Sequence, residues 1–149
     1  MWCSKANVMM PMLRCLLTIT LFTVAFNLHA AVAIIVNLSN YENVNEAQLR
    51  NLYLGKINTF PSGAEVKVLD LTPENSVREE FIRKVLRRSE SNLNAYWARM
   101  LFSSQGRPPP MLQTPQEALS VVSRNKQAIG YMPLADVDQS RVRILMVFE

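Results

Sequence analysis

The hydrophobic pattern changes its period several times along the chain, and each change marks an element. Val32–Val36 reads VAIIV, an unbroken apolar and β-branched run, which predicts a strand buried on both faces. Asn37-Leu38-Ser39-Asn40 then reads as a turn. Asn45 is placed to cap a helix running to Leu54, with Leu49, Leu52 and Tyr53 at helical spacing and Gly55 as its stop. Pro61-Ser62-Gly63 marks another turn, and Val66–Leu71 (VKVLDL) a second strand. Ser76 with Glu79 three residues later fits a capping box. From there Val77, Phe81, Ile82, Val85 and Leu86 form one apolar stripe, with Arg78, Glu79, Arg83, Lys84, Arg87 and Arg88 outside it. After the turn Ser89-Glu90-Ser91, the residues Leu93, Tyr96, Trp97, Met100 and Leu101 predict the core face of a further helix.

Gln105–Gln113 (QGRPPPMLQ) cannot be helix interior, because consecutive prolines remove amide donors and clash with the preceding turn. It reads as a rigid connector, or as a pre-extended edge for a partner. Thr114-Pro115-Gln116-Glu117 is a strong helix start, and the helix to about Asn125 buries Ala118, Leu119 and Val122. Ala128–Met132 and Val142–Phe148 read as two last strands. The order β-α-β-α-α-α-β-β predicts an α/β fold, a three-layer-like sandwich of a mixed sheet flanked by helices.

The amino-terminal segment stands apart from this pattern. Lys5 and Arg14 precede an uncharged apolar run, Cys15–Phe26, which is followed by Asn27-Leu28-His29 and the small residues Ala30 and Ala31. That is the layout of a secretory signal, so residues 1–30 are expected to be a cleavable leader and the product periplasmic. A cut after Ala30 keeps the first strand whole, and Ala31-Val32-Ala33 offers a second site. The competing reading is an uncleaved anchor, which the polar pair Asn27 and His29 in the middle of the stretch opposes. Arg14 before Cys15 argues against a lipoprotein.

Residues 31–149 would form a single domain of 119 residues with 14 Lys and Arg against 12 Asp and Glu, a formal net charge of +2. This is too mild a balance for a nucleic-acid partner. Cys3, Cys15 and His29 all fall in the leader, so the remainder has no cysteine and no histidine. Disulfides, thiolate nucleophiles and the common zinc and triad chemistries are then closed, and no cofactor is expected. Glu79 and Glu80 are neighbours on a helix and point apart, so they cannot share one acid–base task. An enzyme is not expected.

Several segments together resemble a known family. Leu49–Lys56 (LRNLYLGK), followed by Ile57-Asn58-Thr59-Phe60, looks like the leucine, aromatic-leucine-glycine-lysine, tryptophan signature of phosphate ABC transporter substrate-binding proteins, with Phe60 in the tryptophan's place. Ile129-Gly130-Tyr131 resembles their isoleucine-glycine-tyrosine strand, and Val68–Phe81 their strand–loop–helix unit. Tyr96–Leu101 (YWARML) and Gly106-Arg107-Pro108-Pro109 are similar to segments of short secreted relatives. The resemblance implies one lobe of a type 2 periplasmic binding protein, taking phosphate or a similar oxyanion. The family's Ser-Gly-Thr run at the helix start corresponds to Ser76-Val77-Arg78, so only the serine is kept.

The candidate anion site is therefore the helix start at Asn75, Ser76, Val77 and Arg78. First-turn amides are unpaired and the macrodipole adds partial positive charge there. Ser76 adds a hydroxyl and Arg78 a forked, charge-assisted donor. Ser39 and Asn40, in the turn after the first strand, are added as residues facing the same mouth. The competing reading makes Ser76 a plain cap and Arg78 a solvated side chain paired with Glu74. Tyr96 and Trp97 read as core rather than as a stacking platform, and Arg83, Lys84, Arg87 and Arg88 as a solvated face or a dock for anionic lipid or an acidic partner. A single lobe leaves the anion half enclosed, so a second copy or another envelope protein would have to close over it. The alternative function is a non-catalytic interaction module of an envelope transporter or porin that has lost its ligand.

Overall fold

The computed structural model describes residues 31–149. The expected leader lies outside the described residues. Among them no helix is long and apolar enough to cross a membrane.

Strand β1 (Val32–Asn37) is the middle of the molecule. It pairs antiparallel with β5 (Ala128–Pro133) on one side and with β6 (Val142–Phe148) on the other. The short β2 (Lys67–Val68) adds in parallel to the far edge of β5, giving the order β2-β5-β1-β6. Every residue from Val32 to Val36 is fully buried, as an unbroken apolar run requires. Side chains alternate across the pleat, so Val32, Ile34 and Val36 feed one core while Ala33 and Ile35 feed the other.

Helices α1 (Glu46–Tyr53), α2 (Ser76–Phe81) and α3 (Glu90–Phe102) bury Leu49, Phe81, Leu93 and Trp97 in the first core. Helix α4 (Pro115–Arg124) lays Leu119 and Val122 on the second. The layers are helix, mixed sheet, helix, as the element order implies. Asn45 caps α1 in a reciprocal box with Gln48, and Gly55 takes the left-handed conformation (φ 65°) that ends it. Thr114 accepts from the Glu117 amide at the start of α4.

Four expectations are corrected. The Val66–Leu71 strand is divided: β2 joins the main sheet, whereas β3 (Asp70–Leu71) pairs in parallel with β4 (Met111–Leu112) in a separate two-stranded sheet. The proline-rich segment is thus more than a connector, because its end supplies a strand, and Asp70 N–H donates to Pro110 O. The helix after Ser76 passes into a π turn over Ile82–Leu86 and stops at Arg87, a left-handed residue (φ 54°). Leu101, expected in the core, is 49% exposed.

Candidate anion-binding site

The strand–loop–helix corner is built on the short β3. Asp70 and Leu71 are buried there, and Thr72-Pro73-Glu74 carries the chain out and back into α2. Asn75, not Ser76, holds the N-cap position, and its side chain makes no capping bond. Its carboxamide instead donates to Thr72 O and to Gln113 O, at 3.3 and 3.0 Å, tying the corner to the segment after β4. The expected Ser76–Glu79 box is shifted out of register by this one residue. Ser76 becomes the first helical residue and is exposed, while Val77 points into the core. At this position the Ser76 and Val77 amides lie in the first turn, where no intrahelical acceptor reaches them.

Arg78 departs most from expectation. It is 2% exposed rather than solvated, and it does not pair with Glu74. Its Nη1 donates to both oxygens of Glu90 at 2.5 Å, and Nη2 lies 3.4 Å from Asp70 Oδ2. Asp70 in turn accepts from the Tyr131 hydroxyl at 2.5 Å and from the Leu71 amide at 2.8 Å. Tyr53 donates to Leu69 O beside them. Phe81 stacks on Tyr131 at 3.9 Å, and Tyr53 packs against Phe81 at 4.5 Å, so the polar group rests on an aromatic floor.

The charges follow from these contacts. Burial alone would make Arg78 easier to deprotonate, but the Glu90 hydrogen bond and the Asp70 and Glu90 charges outweigh it and hold the proton more firmly. Burial, and then the Asp70 charge, raises the Tyr131 and Tyr53 hydroxyls far above the ordinary tyrosine value, so both stay neutral donors. Glu74 is lowered by its own amide and by the Thr72 hydroxyl, with a small contribution from Arg78.

Ser39 and Asn40 do not share this corner. β1 is antiparallel to β5, with Val36 opposite Ile129 and Val32 opposite Pro133. Asn40 follows the Val36 end and donates to Lys126 O, just ahead of β5. β2 is parallel to β5, so the chain from Val68 to Leu71 advances toward the other end, where Leu71 N–H meets the Tyr131 hydroxyl. The two groups therefore lie at opposite ends of the sheet. Asn40 is buried with both halves of its amide engaged, the oxygen accepting from Glu42 N–H. Ser39 N–H donates to Asn37 Oδ1, as a turn residue does. Tyr96 and Trp97 behave as core: Trp97 is buried, and the Tyr96 hydroxyl donates to Leu54 O.

The residues that sequence reading missed are Asp70, Glu90, Tyr131 and Tyr53. A carboxylate in the run VLDL was the available signal, since a charge inside a buried strand requires a partner. Its partner, eight residues later, could not be named without the corner's geometry.

No family model and no curated protein sequence matches the chain. Solved structures do. An ABC-type phosphate transport receptor from Vibrio cholerae superposes with a TM-score of 0.57 at 21% identity, over 79% of this chain and 47% of the receptor. A phosphate ABC transporter substrate-binding protein from Clostridium perfringens, crystallised with bound phosphate, gives 0.60 at 20% identity, over 78% of this chain and 45% of its own. PstS from Borrelia burgdorferi gives 0.51 at 13% identity, over 70% and 42%. This chain spans less than half the length of each, and in fold it resembles one part of a phosphate ABC transporter substrate-binding protein.

Proposed function

We propose that this chain is an exported, non-catalytic solute-binding-like protein that takes phosphate or a related oxyanion weakly at the β3–α2 corner. The observation that carries the reading is the corner itself: a strand leading into a helix whose first amides are open, with an arginine beneath it, in a fold shared with phosphate receptors. Weak binding is expected because Arg78 is already matched by Asp70 and Glu90.

Ser76→Pro tests the reading. Proline is tolerated at the first helical position but removes both the amide donor and the hydroxyl. Calorimetric titration of phosphate into the purified chain is expected to give saturable binding that falls at least tenfold in Ser76→Pro, with the melting curve little changed. Equal binding by the two proteins would refute a site at the helix start.

A second reading is supported by a separate observation. Phe102 is 96% exposed and Leu101 half exposed at the end of α3, and Tyr41 is 84% exposed elsewhere. Apolar side chains so placed suit a protein contact, in an interaction module of an envelope transporter or porin, or between two copies of this chain. Lack of phosphate binding together with capture of a membrane complex that Phe102→Ser abolishes would favour it.

A further inference from the structure

Strand β6 is an edge of the main sheet. Among the described residues no strand pairs with its outer side, and the turn before it supplies only Asp138 O, which accepts from Val142 N–H. Sheet edges are commonly blunted by lysine, by proline or by a covering element. Val142–Phe148 (VRILMVF) has neither lysine nor proline, Arg143 is its one charge, and Val147 is 41% exposed. The strand does carry a β-bulge. Met146 lies opposite Ile34 and Ile144 opposite Ile35, so Leu145 is an extra residue.

The ladder fixes which main-chain groups are open. Ala31 O accepts from Leu134 N–H, so Ala31 faces β5. By alternation Ala33 and Ile35 also bond toward β5, whereas Val32, Ile34 and Val36 bond toward β6. The β6 residues opposite Ala33 and Ile35 are Val147 and Ile144. Their N–H and C=O groups therefore turn away from β1, to the open edge. The bulge sets these two units three residues apart, where a regular strand spaces its outward units by two. A regular strand cannot bond fully to both. A strand with the same bulge, run antiparallel, can.

We infer that the outer edge of β6 takes the β6 of a second copy of this chain, antiparallel about a two-fold axis between Leu145 and Met146. Ile144 of each copy then stands opposite the partner's Val147, and each such pair exchanges two N–H···O bonds. The faces agree as well. Ile144 packs on the second core and Val147 lies opposite Ala33 of that core, so the pair shares one face. Leu145 and Met146, both packed on the first core, meet across the axis on the other face. Charge selects the same direction. The strand is basic at its start, with Arg141 and Arg143, and acidic at its end, where Glu149 has no ion-pair partner among the described residues. Antiparallel pairing sets Glu149 opposite the partner's Val142, beside the basic end, whereas parallel pairing sets like charges together. The inference does not depend on the phosphate reading, and it uses a surface other than Phe102.

The contact spans a single strand of seven residues, so the association is reversible and depends on concentration. The test is sedimentation velocity of the purified chain over a concentration series, with circular dichroism as the folding check. The unsubstituted chain is expected to pass from monomer to dimer as concentration rises. Val147→Pro removes an outward donor and leaves the bonds to β1 in place, so it is expected to raise the dissociation constant at least tenfold. Phe102→Ser is expected to leave the dimer intact. In the unsubstituted chain, hydrogen exchange at the Ile144 and Val147 amides should slow as the dimer forms. A chain that stays monomeric at its highest concentration overturns the inference, as does a dimer that a folded Val147→Pro forms equally well. If Val147→Pro does not fold, exchange at those two amides that is independent of concentration overturns the inference on its own.

Discussion

Replacing Arg78 with alanine separates the buried corner from the solvated helix face that the sequence pattern suggests. At an exposed position the change would cost within about 0.5 kcal/mol. The structure argues for a larger figure. The Arg78 side chain is 2% exposed and the Asp70 side chain 9%, so removing the guanidinium leaves a carboxylate in the interior. Breaking a buried pair from one side costs roughly 3–5 kcal/mol. Two features lower the expectation within that range. Asp70 keeps the Tyr131 hydroxyl and the Leu71 amide, and Glu90, 41% exposed, regains water when released. The Glu90 arm is therefore weighted as a surface pair, at about 0–1 kcal/mol. The expected loss is about 3 kcal/mol, a large part of the ~5–15 kcal/mol that holds a typical domain together.

Urea unfolding followed by far-ultraviolet circular dichroism measures this directly. Arg78→Met is the companion, because it keeps the stem and deletes only the charge and its donors. Adding Asp70→Asn to Arg78→Met is expected to recover part of the loss, since the stranded carboxylate disappears with its partner. A cost below about 0.5 kcal/mol for Arg78→Ala would refute the reasoning, because no buried charge would then have been stranded.

Two further outcomes follow from the same geometry. The Tyr53 and Tyr131 hydroxyls titrate far higher in the folded chain than in the unfolded one, so the folded state holds its protons longer. Their contribution is complete below about pH 10 and declines above it, by about 1.4 kcal/mol per pH unit for each tyrosine. Tyr131→Phe is expected to lower stability at neutral pH yet flatten the alkaline decline by one proton, as read from urea midpoints between pH 9 and 11; an unchanged slope would count against the assignment. At the end of α1, Gly55 has φ 65° and an added Cβ would come within 3.1 Å of the Trp97 ring. Gly55→Ala is expected to cost roughly 1–2 kcal/mol from the left-handed backbone alone, and thermal melting of the two proteins checks it.

Much of the architecture is written in local pattern. The run Val32–Val36 could satisfy five consecutive apolar side chains only in the middle of a sheet covered on both faces, and it lies there. Asn45 before a helical stripe and Thr114-Pro115 before another are local signals, since a cap acts within one turn, and both helices start where those residues place them. The corner was legible as a strand–loop–helix unit from the apolar run before it and the helical stripe after it, although the capping box expected at Ser76 and Glu79 does not form there.

What the chain alone could not decide is whatever depends on residues distant in sequence. The division of Val66–Leu71 between two sheets follows from competition between β5 and β4 for neighbouring stretches of backbone, and no period within six residues encodes it. Ser39 and Asn40 fall at the wrong end because β1 is antiparallel to β5, and strand direction is a property of the assembled sheet. Arg78 sits on what helical periodicity marks as the outside. It is buried because α3, docking through Leu93 and Trp97, carries Glu90 over it while Asp70 meets it from below. Periodicity reports which side chains prefer to leave water. It is silent on charges that leave water in company, because their partners converge only when the fold closes.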